Sequence, residues 1–399
     1  MKILFRRKSL EAALQKTIKA VSIKSPLPIL GYVLIKTEEN GMVSFSTTDL
    51  EFGIKCRVKA DIQEEGAVCV PAKIITDLVG QIYEDSITIS QSGDFPLELT
   101  TVKSKYHINI REVDEFPIFP KPQDNPSLSM PQGTFREMVR NAVVAVASLE
   151  EQRAVLTGVY LHALENEFIA VATDGRRLIR AKEILDEPPA KELSLIVPQR
   201  SMKEMAGLLS DHETPLYLTY SEGQVFIDFD NTSVFSRIID GKYPNYEVVI
   251  PKSTDNKLLV EKVKFQNAIK RALIMAMDKE TPDLLKIEMS GEEGSDEYQG
   301  SIKIMSNSID VGDADEEVYI KEFEGEPMSV AFNGRYIYDI LNLMEDDFIW
   351  IMLNTPIMPV VFKSLEKENY TYIVMPVRLK KRKTDEDQIE DDVPVDSYT

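Results

Sequence analysis

Apolar residues recur in one helical spacing along three stretches of the chain. Leu10, Ala13, Leu14, Thr17, Ile18 and Val21 stand at i, i+3, i+4, i+7, i+8 and i+11. Phe135, Met138, Val139, Ala142, Val143 and Val146 repeat that template, and Phe265, Ala268, Ile269, Ala272, Leu273 and Ala276 repeat it again. A period near 3.6 gathers each set on one face, so each stretch predicts an amphipathic helix of about three turns. The starts are 125 and 130 residues apart. Between the helices the pattern alternates. Residues 216–220, 224–229 and 233–238 read as a meander of strands, with Glu222-Gly223 and Asp230-Asn231 as the turns. Residues 43–46 and 87–90 read as strands nearer the N-terminus.

Further landmarks follow in the same order in each repeat. Thr48-Asp-Leu-Glu51, Thr173-Asp-Gly-Arg176 and Asn307-Ser-Ile-Asp310 occupy matching places. Val70-Pro-Ala-Lys73, Val197-Pro-Gln-Arg200 and Phe332-Asn-Gly-Arg335 each open a second, shorter helix. Pro71 and Pro198 read as helix-start residues and Asn333 as an N-cap. Phe116-Pro117, Tyr243-Pro244 and Met375-Pro376 close the series. Pro71 and Pro198 are 127 residues apart, and so are Pro117 and Pro244. Two independent landmarks with one period mark a duplicated domain. The expected fold class is α+β: three repeated domains, each with two helices packed on antiparallel sheet. The expected domains are 1–126, 127–252 and 253–379, with 380–399 as a charged, disordered tail. Linkers are expected at 117–131 and 251–256.

Composition narrows the function. No unbroken apolar run exceeds six residues, as at 142–147, far short of the roughly 20 residues of a membrane helix. The apolar start of the N-terminus stops at Phe5, so no secretory signal is read there and a cytoplasmic location is expected. Two cysteines, Cys56 and Cys69, are expected to be free thiols. The three histidines, His107, His162 and His212, are scattered. No phosphate-binding glycine loop, zinc-protease helix or nucleophile elbow occurs. No catalytic residue, metal or cofactor is expected. A carboxylate-based nuclease needs acids converging in a cleft, whereas the acids here fall mostly in expected loops and the tail.

The quoted landmarks resemble one known family, the bacterial β sliding clamp, the processivity subunit of DNA polymerase III. The likeness runs from Met1 to Leu379. It rests on Leu27-Pro-Ile-Leu30, Thr48-Asp-Leu-Glu51, Val155-Leu-Thr-Gly158, Ala172-Thr-Asp-Gly-Arg176, Asp240-Gly-Lys-Tyr-Pro244 and Val374-Met-Pro-Val-Arg-Leu379. The resemblance implies the DNA clamp fold and a head-to-tail homodimer closed into a ring. In that ring, helices line the hole and sheets form the outer wall. Given that fold, six helices packed about 8–10 Å apart enclose too narrow a circle for a duplex, whereas the twelve of a dimer leave room for one.

Net charge, −20, predicts repulsion from nucleic acid when taken alone. The six helical segments (2–24, 71–82, 134–149, 198–209, 261–277 and 333–345) together carry +10, which leaves −30 for the rest of the chain. Positive charge thus concentrates on the elements that the resemblance places in the hole. Lys and Arg contacts to phosphate are independent of sequence and sensitive to salt, as sliding requires. By the resemblance, Lys24, Lys73 and Arg200 match DNA-contact positions on double-stranded DNA.

The resemblance also implies a pocket for short peptides of the polymerase III α subunit, the clamp loader and other clamp-binding-motif proteins. Carried over, its residues are Leu156, Thr173, Gly175, Arg176, Arg177, Leu178, Pro244, Val248, Val249, Pro359, Val361, Val374, Met375, Pro376, Val377 and Arg378, from the second and third domains. The apolar members offer a slot for Leu or Phe anchors, and Met375 is deformable. Two positions depart from the family: Val248 stands where an Arg is frequent, and Ala154 where a Pro is usual. Asp310, Asp313, Asp315, Glu316 and Glu317 have the look of a calcium loop, but its glycine and terminal Glu are misplaced, so they read as a solvated acidic loop. In the tail, Gln388-Ile-Glu-Asp-Asp-Val393 loosely resembles a clamp-binding peptide. The rival to a ring is a non-ring paralogue that serves as a peptide-binding scaffold or inhibitor.

Overall fold

A computed structural model describes residues 1–22, 25–93, 95–277, 282–291, 298–308 and 311–378. Lys24 and the 380–399 tail, with its peptide-like stretch, lie outside the described residues, as do Asp310 and residues 292–297. The chain forms two compact units, one from Met1 to Asn245 and one from Tyr246 onward.

Among the described residues there are six α-helices. In the first unit they are α1 (Arg7–Thr17), α2 (Ala72–Gln81), α3 (Gln132–Ala142) and α4 (Gln199–Ala206); in the second they are α5 (Lys262–Met275) and α6 (Gly334–Leu341). The buried faces follow the periodicity: Leu10, Ala13, Leu14 and Thr17 on α1, Phe135, Met138, Val139 and Ala142 on α3, and Phe265, Ala268, Ile269 and Ala272 on α5. The expected stretches overrun the first two helices, which tighten into 3-10 turns at Ile18–Ala20 and Val143–Ala145.

Every helix follows a strand with no intervening loop, and the joining residue is extended. Arg6, Pro71, Pro131, Pro198, Glu261 and Asn333 have φ between −52° and −74° and ψ between 107° and 141°. This corrects one expectation. Pro71 and Pro198 are the last residues of their strands and the N-caps of α2 and α4, one position before the helix proper. Their fixed φ suits that junction, and a proline there has no N–H that needs an acceptor. Asn333 caps as expected, its side chain accepting from the Arg335 amide at 3.0 Å.

The repeat is visible in sheet order. In the first unit one sheet segment runs Ala67–Pro71, Tyr32–Glu38, Met42–Thr48, Phe52–Lys59, and another runs Leu193–Pro198, Gly158–Leu164, Glu167–Thr173, Arg177–Ile184. The second unit repeats that order with Met328–Asn333, Leu284–Gly291, Gly300–Ser308 and Gly312–Glu324. The first helix of each repeat packs over the last two strands of its segment, and the helices pair as α1 with α2, α3 with α4 and α5 with α6. Leu10, Leu14, Ile35, Phe45, Ile75 and Val79 form part of the first repeat's core.

The first two repeats share one continuous sheet. Strand Phe52–Lys59 pairs with Thr232–Arg237, the last strand of the meander Pro215–Ser221, Gln224–Phe229, Thr232–Arg237. Gly53 lies opposite Phe235, and a Cβ at Gly53 would stand 2.2 Å from the Phe235 ring. In the second unit Asn256–Glu261 lies between Gly312–Glu324 and Phe348–Leu353, and Val360–Ser364 and Tyr370–Val374 extend that sheet. The acids expected in a loop are a strand: Asp313, Asp315 and Glu317 alternate outward along Gly312–Glu324, whose Val318 and Ile320 are buried. The alternation is the period-2 signal of a half-buried strand, which the density of acids masked.

Candidate functional sites

Thr48-Asp-Leu-Glu51 and Thr173-Asp-Gly-Arg176 build the same turn. Thr48 Oγ1 donates to the Phe52 carbonyl and accepts from the Leu50 amide, while Asp49 Oδ1 accepts from the amides of Glu51 and Phe52, at 2.8 to 3.1 Å. Thr173 Oγ1 donates to the Arg177 carbonyl and accepts from the Gly175 amide, while Asp174 Oδ1 accepts from the amides of Arg176 and Arg177, at 2.7 to 3.0 Å. Short polar side chains that bond the backbone two and three residues on fix such turns. The third residue has positive φ in both, 80° at Leu50 and 81° at Gly175.

The other carboxylate oxygen of each aspartate holds an arginine. Asp174 Oδ2 accepts from Arg177 Nε at 3.1 Å within the turn. Asp49 Oδ2 instead accepts from Nη1 of Arg200, which belongs to α4 in the next repeat. Arg200 remains half exposed, and Asp49 is nearly covered. Lys73, on α2, pairs with Asp77 one turn on at 2.7 Å, and both side chains are exposed. Cations of α1, α5 and α6 also pair with nearby acids. Arg7 pairs with Glu11 at 2.6 Å, Lys264 with Glu261 at 2.7 Å and Arg335 with Asp339 at 3.3 Å. Arg271 Nε meets Glu316 Oε1 at 2.7 Å, and that hydrogen bond holds the Glu316 carboxyl below its usual range. The i,i+4 pairs are legible in sequence. The Asp49–Arg200 pair is not, because 151 residues separate its members.

Of the residues carried over for peptide docking, the first unit gathers those around the Thr173 turn. Leu156 and Leu178 are buried, Thr173 and Arg177 are half-buried, and Gly175, Arg176 and Pro244 are exposed. Leu178 lies opposite Thr173 across the turn. Tyr243, beside Pro244, accepts the Thr173 amide at 3.1 Å and stacks on Tyr160 with ring centres 4.8 Å apart. The neighbouring glycines allow close packing. A Cβ at Gly158 would stand 2.6 Å from the Val197 carbonyl oxygen, and one at Gly241 2.6 Å from a Val155 methyl. Sequence reasoning passed over Tyr243 and these glycines as supports, although they stand within the quoted motifs.

In the second unit Val374 lies opposite Val360, and Val361 opposite Ile373, so Pro359, Val361, Val374 and Met375 come from adjacent strand ends. Val361 and Val374 are buried, and Pro359, Met375 and Pro376 are half-buried. Val377 and Arg378 are exposed, and the Val377 amide donates to the Ala331 carbonyl at 2.8 Å. Val248 and Val249 stand exposed on the 3-10 turn Tyr246–Val249. The loop after Val360–Ser364 is pinned by Asp346. Its Oδ1 accepts from Ser364 Oγ at 2.6 Å and from the amides of Leu365 and Glu366 at 2.9 and 3.0 Å. Burial works to raise the Asp346 pKa, but these hydrogen bonds outweigh it and the net shift is downward.

Both thiols are buried, and burial pushes the Cys69 thiol up to about 12 and that of Cys56 upward, so neither is a reactive thiolate near neutral pH. Among the described residues no group of three His, Cys, Asp or Glu is arranged to hold a metal, and no helix is long and apolar enough to cross a membrane.

Comparison with known proteins covers nearly the whole chain. Residues 1–120, 129–245 and 247–378 match the N-terminal, central and C-terminal domains of the DNA polymerase III beta subunit, in that order. The Beta sliding clamp of Bacillus subtilis is 26% identical over 386 residues, covering 95% of this chain and 100% of the relative, and that of Synechococcus elongatus is 28% identical with the same coverage. The crystal structure of the DNA polymerase sliding clamp from Bacillus subtilis superposes with a TM-score of 0.87 at 25% identity. That of the DNA polymerase III beta subunit from Thermotoga maritima does so at 0.85 and 28%. Each of these two structures covers 95% of this chain, which covers 100% of each. With all three domains matched in order, and the strand order repeated three times, the chain belongs to the DNA polymerase III beta subunit family.

Proposed function

We propose that this protein is a DNA sliding clamp, which encircles duplex DNA as a closed dimer and tethers the replicative polymerase. The reading is carried by the family match along the whole chain together with the cationic helices of an otherwise acidic protein. Enclosure supplies retention, so the helices need only weak, sequence-independent attraction to phosphate. Lys24, Lys73 and Arg200 supply part of it. The clamp performs no chemistry of its own and works in the cytoplasm.

Two open strand edges support the head-to-tail dimer. Lys105–Ile108 ends its five-stranded sheet and, among the described residues, pairs only with Leu97–Thr100. Among the described residues, 312–319 of Gly312–Glu324 pair only with Gly300–Ser308. Unpaired edges are templates for strand addition, and the two carry opposite charge. Lys105 stands on one, and Asp313, Asp315 and Glu317 on the other. Joining them between two copies, twice, closes a ring.

The peptide-docking role of the residues from Leu156 to Arg378 rests on the family resemblance. Exposed Pro244 in the first unit and exposed Val248, Val249 and Val377 in the second fit apolar peptide anchors. The occupants are the polymerase III α subunit, the clamp loader and other proteins bearing the clamp-binding motif.

The test is primer extension on a singly primed circular template with a clamp loader and cognate polymerase. Product length rises sharply when this protein is present. Equal lengths with and without it would overturn the reading, and a monomer in solution would favour a peptide-binding scaffold.

A further inference from the structure

The two described cations assigned to DNA contact are each already bound to a carboxylate: Arg200 to Asp49 and Lys73 to Asp77. The Asp49 contact has a particular division of labour. Oδ1 takes the two turn amides, so the turn is complete without Oδ2. Oδ2 is directed at the guanidinium of another repeat. In the matching turn of the second repeat, Asp174 spends its Oδ2 on Arg177 three residues away. The long-range pairing is therefore an addition to the turn and no requirement of it.

A carboxylate offers a guanidinium the same pair of anionic oxygens that a phosphate does. Arg200 is half exposed and its partner nearly covered, so the outer side of the guanidinium faces solvent while the inner side is held. We propose that Asp49 is an intramolecular substitute for DNA phosphate, which holds Arg200 in reserve and keeps the clamp's grip on duplex weak. Asp77 does the same for Lys73 at a more exposed site. A phosphate gains Arg200 only by competing with Asp49, so friction along DNA is lowered without loss of positive charge from the helices. This inference rests on the clamp reading and deepens it.

Asp49→Asn tests it. An asparagine keeps Oδ1 for the turn amides and places an amide nitrogen or a neutral oxygen toward Arg200. The readout is binding of the full-length dimer to a fluorescent linear duplex by anisotropy, across a salt series, with melting temperature as the control for folding. The expected result is an affinity about two- to five-fold above the parent at low salt, the range of a partly exposed ion pair. The log–log salt slope steepens by about 0.9, as for one added phosphate contact. The gain is absent when Asp49→Asn is combined with Arg200→Ala. Equal affinity and slope for Asp49→Asn and the parent, with Arg200→Ala binding more weakly, overturns the inference and leaves the clamp reading intact. A gain that persists in the double variant overturns it as well, since it reports only the change in net charge. Arg200→Ala in the otherwise parental chain binds within about two-fold of the parent, because Asp49 already holds the guanidinium; a loss as large as the Asp49→Asn gain shows that Arg200 is not held in reserve and overturns the inference, while primer extension judges the clamp reading separately.

Discussion

The amide of Thr173 donates to the hydroxyl of Tyr243 across 3.1 Å, tying the turn of one family motif to the loop of another 70 residues later. The ring of Tyr243 meanwhile lies flat against Tyr160. One side chain thus sets the backbone height of the exposed turn by its hydroxyl and holds its own position by its ring.

Tyr243→Phe separates these roles. Stacking survives, and the half-buried Thr173 amide loses its acceptor. We expect a stability loss of about 1 kcal/mol in urea titration and weaker binding of a clamp-binding peptide by calorimetry. A variant that keeps both parental values would show that the hydrogen bond positions nothing.

Leu50 and Gly175 occupy the same left-handed position in equivalent turns, φ 80° and 81°. A side chain there costs about 1–2 kcal/mol relative to glycine. Gly175→Ala is expected to destabilise by about 1 kcal/mol, and its new Cβ stands 3.4 Å from Arg153 Nη2. Leu50→Gly is expected to change stability by less than about 0.5 kcal/mol, because relief of strain offsets the greater freedom of the unfolded chain. Denaturant midpoints of the two variants check the contrast.

Gly53 faces the Phe235 ring in the sheet shared by the first two repeats, and that ring also meets Phe119 edge-on at 5.1 Å. Gly53→Ala forces the ring out of this place, at a cost of about 1–3 kcal/mol. Amide hydrogen exchange should show the loss concentrated in Phe52–Lys59 and Thr232–Arg237. Uniformly changed protection would argue against a local seam.

Asp346 gives stability a defined acid dependence. Its folded-state pKa lies below the ordinary value of 3.8, so the carboxylate form favours the fold. Its contribution is complete above that value and disappears as pH falls through it toward the lower folded value. Asp346→Asn should flatten this part of the melting-temperature profile. Asp346→Ala, which strands the Ser364 hydroxyl and two amides, should cost about 2–3 kcal/mol at neutral pH. A profile for Asp346→Asn that parallels the parent at acid pH would remove Asp346 as the titrating group.

Much of the fold was readable because it rests on local periodicity. The helix faces of Leu10, Phe135 and Phe265 depend only on residues within about three turns, and so does the meander around Glu222-Gly223, whose φ values of 52° and 74° suit a tight hairpin. Proline favours both N1 and strand-end positions, so the sequence around Pro71 and Pro198 suits a helix start, and only the continuing strand decides between the two. Along Asp313 to Glu317 the density of acids hides the alternation that marks a strand.

By itself the sequence determined the three repeats, their helices, the concentration of cations on those helices, and the motifs that carry the family resemblance. These follow from spacing and composition, which need no partner distant in the chain. Tertiary structure decided that Asp49 meets Arg200, that Tyr243 supports Thr173, and that Gly53 makes room for Phe235. Each joins residues 70 or more positions apart. Such contacts arise when strand pairing and helix packing bring separate repeats together, and no local pattern of hydrophobic and polar residues encodes them.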